Sequence, residues 1–299
     1  MTIKLTFLGT ADQIPSAKRN HTAILLQYDG ENILMDCGEG TQRQFRKAGL
    51  NPCKITRLLI SHWHGDHVLG IPGLLSTLSL SGYNKVLHIY GPKGTKRFIE
   101  EMLKVFGFKR QYQIVVEEVS GKFFETIDFY LEAKPMAHGI PTNAYSFVKK
   151  GLIRIDRQKL KKSHLPEGPL LQNLKQGKDI HYNGKKYSAK DLTYKEEDKK
   201  VSFVLDTGLN NNLIPFVKDS DLLICEATFE EELAEQAKEH LHLTSRQSAE
   251  IAKKSKSKKL ILTHISQRYE NDLGKILREA KKYFKNSFLV SDLDVVDVE

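Results

Sequence analysis

Residues 61–67 of this 299-residue chain read Ser61-His62-Trp63-His64-Gly65-Asp66-His67, which sets three imidazoles and a carboxylate within six positions. The run follows Arg57-Leu58-Leu59-Ile60, an apolar stretch that reads as a buried strand. On an extended backbone His62 and His64 fall on one side, as two ligands of one ion must. Asp66 and His67 come after the Gly65 turn and can reach a second ion. Imidazole with carboxylate suits zinc, and manganese and iron accept the same donors. Further ligand-type side chains close other strand patterns: His138 after 123–133, Asp206 after 201–205 and His264 after 260–263. The rim of a sheet is where α/β proteins build their sites, although a lone histidine there is more often only hydrogen-bonded. Together the seven are the number that two adjacent ions need when one carboxylate is shared. Such a pair lowers the pKa of a shared water and neutralises charge on a phosphoryl group.

The elements that must position these side chains alternate. Strand patterns lie at 4–8, 22–28, 32–36, 86–90, 113–119, 144–149, 201–206, 221–226, 259–263 and 288–290. Helical patterns lie at 40–48, 69–80, 94–105, 230–239, 245–254 and 271–284. Thr244-Ser245-Arg246-Gln247 reads as a capping box opening one of these helices. Strands feeding helices throughout predict a layered α/β architecture. Residues 151–195 interrupt the alternation with Gly, Pro, Asn and Lys, and read as an insertion projecting from the domain.

Composition narrows the class. A chain of 299 residues can bury a large core. It holds no apolar run of about 18 residues, and its start is a short strand pattern without the apolar core of a secretion signal. Three scattered cysteines, Cys37, Cys53 and Cys225, fit small buried hydrophobes in a reducing compartment. The net charge is +9, and residues 149–200 carry 15 Lys or Arg against 7 Asp or Glu, so +8 of it lies there. Such a concentration suggests a polyanion partner or a solvated lysine-rich surface.

In their order, His62-x-His64-x-Asp66-His67, His138, Asp206 and His264 resemble the metallo-β-lactamase superfamily. Within it, four segments are similar to the ribonuclease Z family of tRNA 3′-processing endonucleases. They are Phe7-Leu8-Gly9-Thr10, Asp36-Cys37-Gly38-Glu39-Gly40-Thr41-Gln42-Arg43-Gln44, Glu226-Ala227-Thr228-Phe229, and Leu262-Thr263-His264-Ile265-Ser266-Gln267-Arg268-Tyr269. The resemblance implies a single α/β domain over 1–299, the αββα four-layer sandwich, with a basic exosite arm inserted at 151–195. It implies two Zn2+ per chain, with Mn2+ as the other candidate. One ion would be held by His62, His64 and His138, the other by Asp66, His67 and His264, with Asp206 bridging. Asp66 and His242 are the implied catalytic residues, His242-Leu243-Thr244 standing where the family has His-Ser-Thr. The segment from Gly168 and Pro169 through Lys175 and Gly177 looks like the core of the tRNA-clamping arm. Expected substrate contacts are therefore Gly168, Pro169, Lys175 and Lys178, with Lys18 and Arg19 of an amino-terminal loop and Arg268.

The implied reaction removes the 3′ trailer from precursor tRNA, leaving a 3′-hydroxyl on the tRNA and a 5′-phosphate on the trailer. The implied setting is a cytoplasmic homodimer with no membrane partner. The alternative is a hydrolase of small phosphodiesters or cyclic nucleotides with the same site. On the residues alone, His242 is either a general acid or a cap contact ahead of the helix at 245. Glu226 either orients an imidazole or is a buried strand-end carboxylate. The chain departs from the family pattern at Leu243 (for Ser) and Leu205 (for Gly). It also departs at Lys18, displaced by one in a P-x-K-x-R-N-like loop that bears on rejection of CCA-ending tRNA, and by one Gly missing from the arm at Leu171 or Gln172.

Overall fold

The alternating apolar stretches become two seven-stranded sheets. The computed structural model describes residues 2–107 and 111–299. The first sheet runs Val295–Val298, Ile3–Gly9, Ala23–Tyr28, Glu31–Met35, Arg57–Leu59, Leu87–Gly91 and Ile114–Glu118. Pairing is antiparallel as far as Glu31–Met35 and parallel beyond it. Parallel neighbours need a crossover, and the helices Thr41–Lys47, Ile71–Leu80 and Thr95–Phe106 supply one each. The second sheet runs Ser287–Leu289, Leu260–Thr263, Leu222–Glu226, Lys199–Val204, Thr142–Lys149, Phe129–Met136 and Gly121–Glu125. Its first four strands are parallel.

The sheets pack face to face. Leu26, Ile33, Met35 and Leu59 of the first sheet meet Leu131, Tyr145, Phe147 and Phe203 of the second. The Tyr145 hydroxyl donates to the Ile60 carbonyl at 2.8 Å. The outer faces are buried under helices. Phe45, Leu74, Leu78 and Ile99 share one core with the first sheet, and Ile251, Ala252, Ile276 and Ala280 share another with the second. Helix, sheet, sheet and helix make the four layers expected from the sequence. Two parallel halves then place many strand carboxyl ends together, and those ends carry the ligand-type side chains.

Several elements differ from expectation for local reasons. The helix expected at 69–80 spans Ile71–Leu80 and is preceded by a separate short helix, Gly65–Val68, across a break at 69–70. Gly70 lies so close to the backbone of Cys37 and Gly38 that a Cβ there would collide with it, and Pro72 has no N–H to continue the ladder. The break frees the short first helix to carry Asp66 and His67. The single strand expected at 123–133 is a hairpin, Gly121–Glu125 and Phe129–Met136. The Thr126 side chain turns it by accepting from the backbone N–H of Asp128 (3.2 Å) and Phe129 (3.1 Å). The carboxyl-terminal strand Val295–Val298, absent from the sequence reading, covers the outer edge of Ile3–Gly9.

By its contacts the chain divides into two compact units, 1–124 with 131–147 and 200–299, and 125–130 with 148–199. The segment 151–195, expected to lack periodic structure, is ordered into three short helices and two ribbons. The helices are Arg157–Ser163, Leu171–Lys175 and Ala189–Leu192. The ribbons pair Ile153–Ile155 with Thr193–Lys195 and Ile180–Tyr182 with Lys185–Tyr187. Asn183 and Gly184 turn the second ribbon with φ of 50° and 75°, which is the conformation a two-residue hairpin requires. The Asp156 carboxylate caps Arg157–Ser163 through the N–H of Gln158 and Lys159. Leu160, Leu165, Leu174, Ile180, Ala189 and Leu192 form a small core of their own. No helix among the described residues is long and apolar enough to cross a membrane.

Because Leu174 is fully buried at the centre of that small core, Leu174→Ala should cost about 2–5 kcal/mol locally. Hydrogen exchange followed by mass spectrometry is expected to show protection lost across 150–199 while the two large sheets exchange as before.

Candidate functional site

The strand ends deliver the site. His62 and His64 follow Arg57–Leu59, and Asp66 and His67 ride on Gly65–Val68. His138 follows Phe129–Met136, Asp206 follows Lys199–Val204 and His264 follows Leu260–Thr263. Glu226 ends Leu222–Glu226, and His242 precedes Ser245–Lys254, whose start carries the expected capping box of Thr244 with Gln247. All seven side chains singled out as ligands converge, and they do so in two sets. His62, His64, His138 and Asp206 form one, and Asp66, His67, Asp206 and His264 form the other, each with one donor atom per residue within 4.8 Å of the rest.

In the first set the nitrogens face one another. His62 Nε2 lies 3.0 Å from His64 Nδ1, and His138 Nε2 lies 3.2 Å from the same atom. In the second, Asp66 Oδ2 lies 3.0 Å from His67 Nε2 and 3.3 Å from His264 Nε2. Asp206 belongs to both. Its Oδ1 faces His264 Nε2 at 3.2 Å and His67 Nε2 at 3.4 Å, while its Oδ2 faces His62 Nε2 at 3.6 Å and His138 Nε2 at 4.0 Å. Asp206 Oδ1 and His67 Nε2 are buried with no hydrogen-bond partner. Buried polar atoms left unpaired are costly, and imidazole with carboxylate is the donor set of borderline cations. The residues therefore fit a pair of metal ions.

The far side of four of the five rings is held. His62 Nδ1 meets Ser61 Oγ at 3.0 Å and His138 Nδ1 meets the Leu241 carbonyl at 3.1 Å. His67 Nδ1 meets Asp36 Oδ2 at 2.6 Å and His264 Nδ1 meets Thr228 Oγ1 at 2.9 Å. Such partners fix ring orientation and keep the inward nitrogen aimed at the ion. Asp36 also accepts from the Ser61 backbone N–H and hydroxyl, both at 2.6 Å. Asp36 and His264 adopt left-handed φ of 54° and 56°, a conformation unfavourable for side-chain-bearing residues that tends to gather at functional sites.

Electrostatics separate the two sets. Burial, with the neighbouring His67, pushes the His62 pKa well below its ordinary value, and burial lowers that of His138. Burial also opposes charge on His67 and His264, but Asp206 and Asp66, joined by Asp36 at His67, outweigh it and raise both. Asp206 is held well below the carboxylate range by His264, His67 and His62 against the penalty of burial. Asp66 is likewise lowered, against burial, by His67 and His264.

His242 stands at the edge of both sets, with Nε2 4.0 Å from Asp206 Oδ2. Its Nδ1 lies 3.1–3.2 Å from the two oxygens of Glu226. Burial disfavours its charge, yet Glu226 and Asp206 prevail and raise its pKa to about 9. Glu226 is fully buried and also accepts from the Thr207 N–H and the Thr228 hydroxyl at 2.7 Å each. His242 faces a cavity lined by Asp12, Ile14, Phe229 and Arg268 together with His64, Asp66, His138, Asp206 and His264.

The expected substrate contacts divide. Arg268 stacks over the Phe229 ring at 4.9 Å on the cavity wall. Lys18 is exposed, as are Gly168, Pro169, Lys175 and Lys178 in the second unit. Arg19 is different: it is buried, with its guanidinium on Thr10 Oγ1 (2.8 Å) and the Val290 carbonyl (2.9 Å). It ties the loop to the sheet. Leu243 is fully buried in the core of the second sheet, so the hydroxyl of the family motif is replaced here by packing. Asp36, Ser61 and Thr228 were not singled out as site residues. The one available signal was a buried-strand carboxylate, Asp36, lying in a Gly-rich segment.

Comparison with known proteins agrees with this arrangement. A family model described as anti-Pycsar protein Apyc1 matches residues 3–286. The ribonuclease Z of Nanoarchaeum equitans (strain Kin4-M) is 35% identical over 97% of this chain and 92% of its own length. The crystal structure of human tRNase Z, short form, matches with a TM-score of 0.73 and 28% identity, covering 99% of each chain. The metallo-β-lactamase fold protein YhfI from Bacillus subtilis has a TM-score of 0.72 at 19% identity over 100% of each chain, a likeness of fold. Matched along nearly its whole length and sharing this fold, the chain belongs to the ribonuclease Z family of metallo-β-lactamase-fold proteins.

Proposed function

We propose that this chain is a zinc-dependent endoribonuclease that removes 3′ trailers from tRNA precursors, leaving a 3′-hydroxyl on the tRNA and a 5′-phosphate on the trailer. The observation that carries the chemistry is the Glu226–His242 pair set beside the doubly shared Asp206. In this reading His62, His64 and His138 hold one Zn2+, Asp66, His67 and His264 hold the second, and Asp206 bridges them; Mn2+ suits the same donors. Bound there, the cations would acidify a water and take up charge on the phosphoryl oxygens.

The chain's own groups supply the rest. Asp66, kept ionised by His67 and His264, orients the attacking water by accepting its hydrogen bond. As the bond from phosphorus to the 3′ oxygen breaks, His242 Nε2 gives its proton to that oxygen, and Glu226 stabilises the charged imidazole beforehand. Arg268, fixed on Phe229, meets the phosphodiester at the cavity wall. The arm around Gly168, Pro169, Lys175 and Lys178, in the segment that carries most of the excess positive charge, binds tRNA phosphates. The protein acts as a homodimer in the cytoplasm, and its three cysteines are free, as a reducing compartment keeps them. A second reading, hydrolysis of small phosphodiesters, would use the same site.

Two experiments separate these roles. His242→Ala should keep both metals and lose about 10²–10⁴-fold in rate on RNA, whose ribose leaving group needs a proton, but far less on a nitrophenyl phosphodiester. Equal losses on both would contradict the acid role. Glu226→Gln removes an upward pull on the His242 pKa, so protonated imidazole disappears at lower pH and the alkaline limb of the rate profile moves toward neutrality.

Replacing residues 155–187 by a short Gly-Ser turn should raise KM for a tRNA precursor strongly and spare small diesters. Wild-type affinity for tRNA should fall by about one power of salt per phosphate contact. A folded, metal-loaded deletion with unchanged tRNA affinity would favour the small-diester reading.

A further inference from the structure

The residue between the first two metal ligands is the chain's single tryptophan, and it is tied elsewhere. The alternation that sets His62 and His64 on one side of the chain sends Trp63 to the other. There its indole Nε1–H donates to Thr95 Oγ1 at 2.9 Å. Its ring lies 4.9 Å from that of Phe98, whose face is covered by the Arg97 guanidinium at 4.6 Å. Thr95 is fully buried and passes its own hydroxyl proton to the Pro92 carbonyl at 2.7 Å. Gly91 makes room for this contact, since a Cβ there would collide with the Thr95 side chain.

The segment thus anchored has no helix or strand of its own at 61–64. Its backbone is fixed at Ser61, by the Asp36 carboxylate (2.6 Å) and the Asn143 N–H (2.9 Å), and at the His64 carbonyl, by the His67 N–H (3.1 Å). Trp63 sits between those points. Two imidazole nitrogens held 3.0 Å apart tolerate little movement of the backbone that bears them. Groups that fix a ligand's direction are worth about 10–100-fold in metal affinity.

We infer that Trp63 is a positioning residue for the metal centre, acting through the Trp63–Thr95 hydrogen bond that locks the His62–His64 segment to the start of the helix Thr95–Phe106. The inference rests on the two-metal reading above and goes beyond it by assigning a role to a side chain that touches neither ion nor substrate.

Zinc affinity tests it on metal-stripped full-length protein, by competition with a chromogenic chelator. Trp63→Phe keeps an aromatic ring and drops the N–H, and Thr95→Val drops the hydroxyl. Each should bind zinc about 10–100-fold more weakly. Thr95→Ser, which keeps the hydroxyl, should bind like the wild type. In the wild type the indole emission should change as zinc is added, and in Thr95→Val that change should require more zinc. Circular dichroism spectra matching the wild type would assign the losses to positioning. Wild-type zinc affinity in both Trp63→Phe and Thr95→Val, or a loss in Thr95→Ser equal to that in Thr95→Val, would overturn the inference. A wild type that takes up no zinc would instead defeat the two-metal reading, and this inference would fall with it.

Discussion

One buried carboxylate organises the molecule. Asp206 turns Oδ1 to His67 and His264 and Oδ2 to His62 and His138. Removing a carboxylate from water costs several kcal/mol unless the interior repays it, and here repayment comes from histidines delivered by three different strand ends. Asp206 Oδ1 and the facing His67 Nε2 are buried without hydrogen bonds, an arrangement that suits a cation as their common partner. The same carboxylates raise the pKa of His67 and His264. Protons and cations therefore compete for these nitrogens, and metal uptake weakens as pH falls.

The fold can be read as the support for that constraint. Parallel strands send their carboxyl ends to one rim in each sheet, and the left-handed turns at Asp36 and His264 bend the chain at the rim instead of letting it continue outward. Behind four of the five ligand-type imidazoles stands an oxygen, from Ser61, Asp36, Leu241 or Thr228. The Glu226 carboxylate stands behind His242 in the same way and raises its pKa. In the proposed reading, similar geometry serves two roles: histidines that converge on Asp206 act as ligands, and the one set further out acts as an acid.

What the sequence made legible follows from distance along the chain. The ligand run at 62–67 is local, so spacing alone exposed it, and the strand-end residues His138, Asp206 and His264 became persuasive only as a set. Two of the partners behind the rings were hidden because they are remote: 31 residues separate Asp36 from His67 and 36 separate Thr228 from His264. The burial of Arg19 was hidden because a basic side chain in a loop looks exposed, and its Val290 partner lies 271 residues away. The arm at 151–195 looked irregular because its helices are four to seven residues long, too short to display a 3.6-residue period. Its small core emerges only when these pieces fold on one another.

The central claim is that Asp206 joins two metal ions in one centre. Elemental analysis of Asp206→Ala beside the wild type, after equal exposure to zinc, tests it most directly. The account predicts two equivalents per chain in the wild type and the loss of at least one, with RNA cleavage, in the variant. Two equivalents and normal turnover in Asp206→Ala would contradict it.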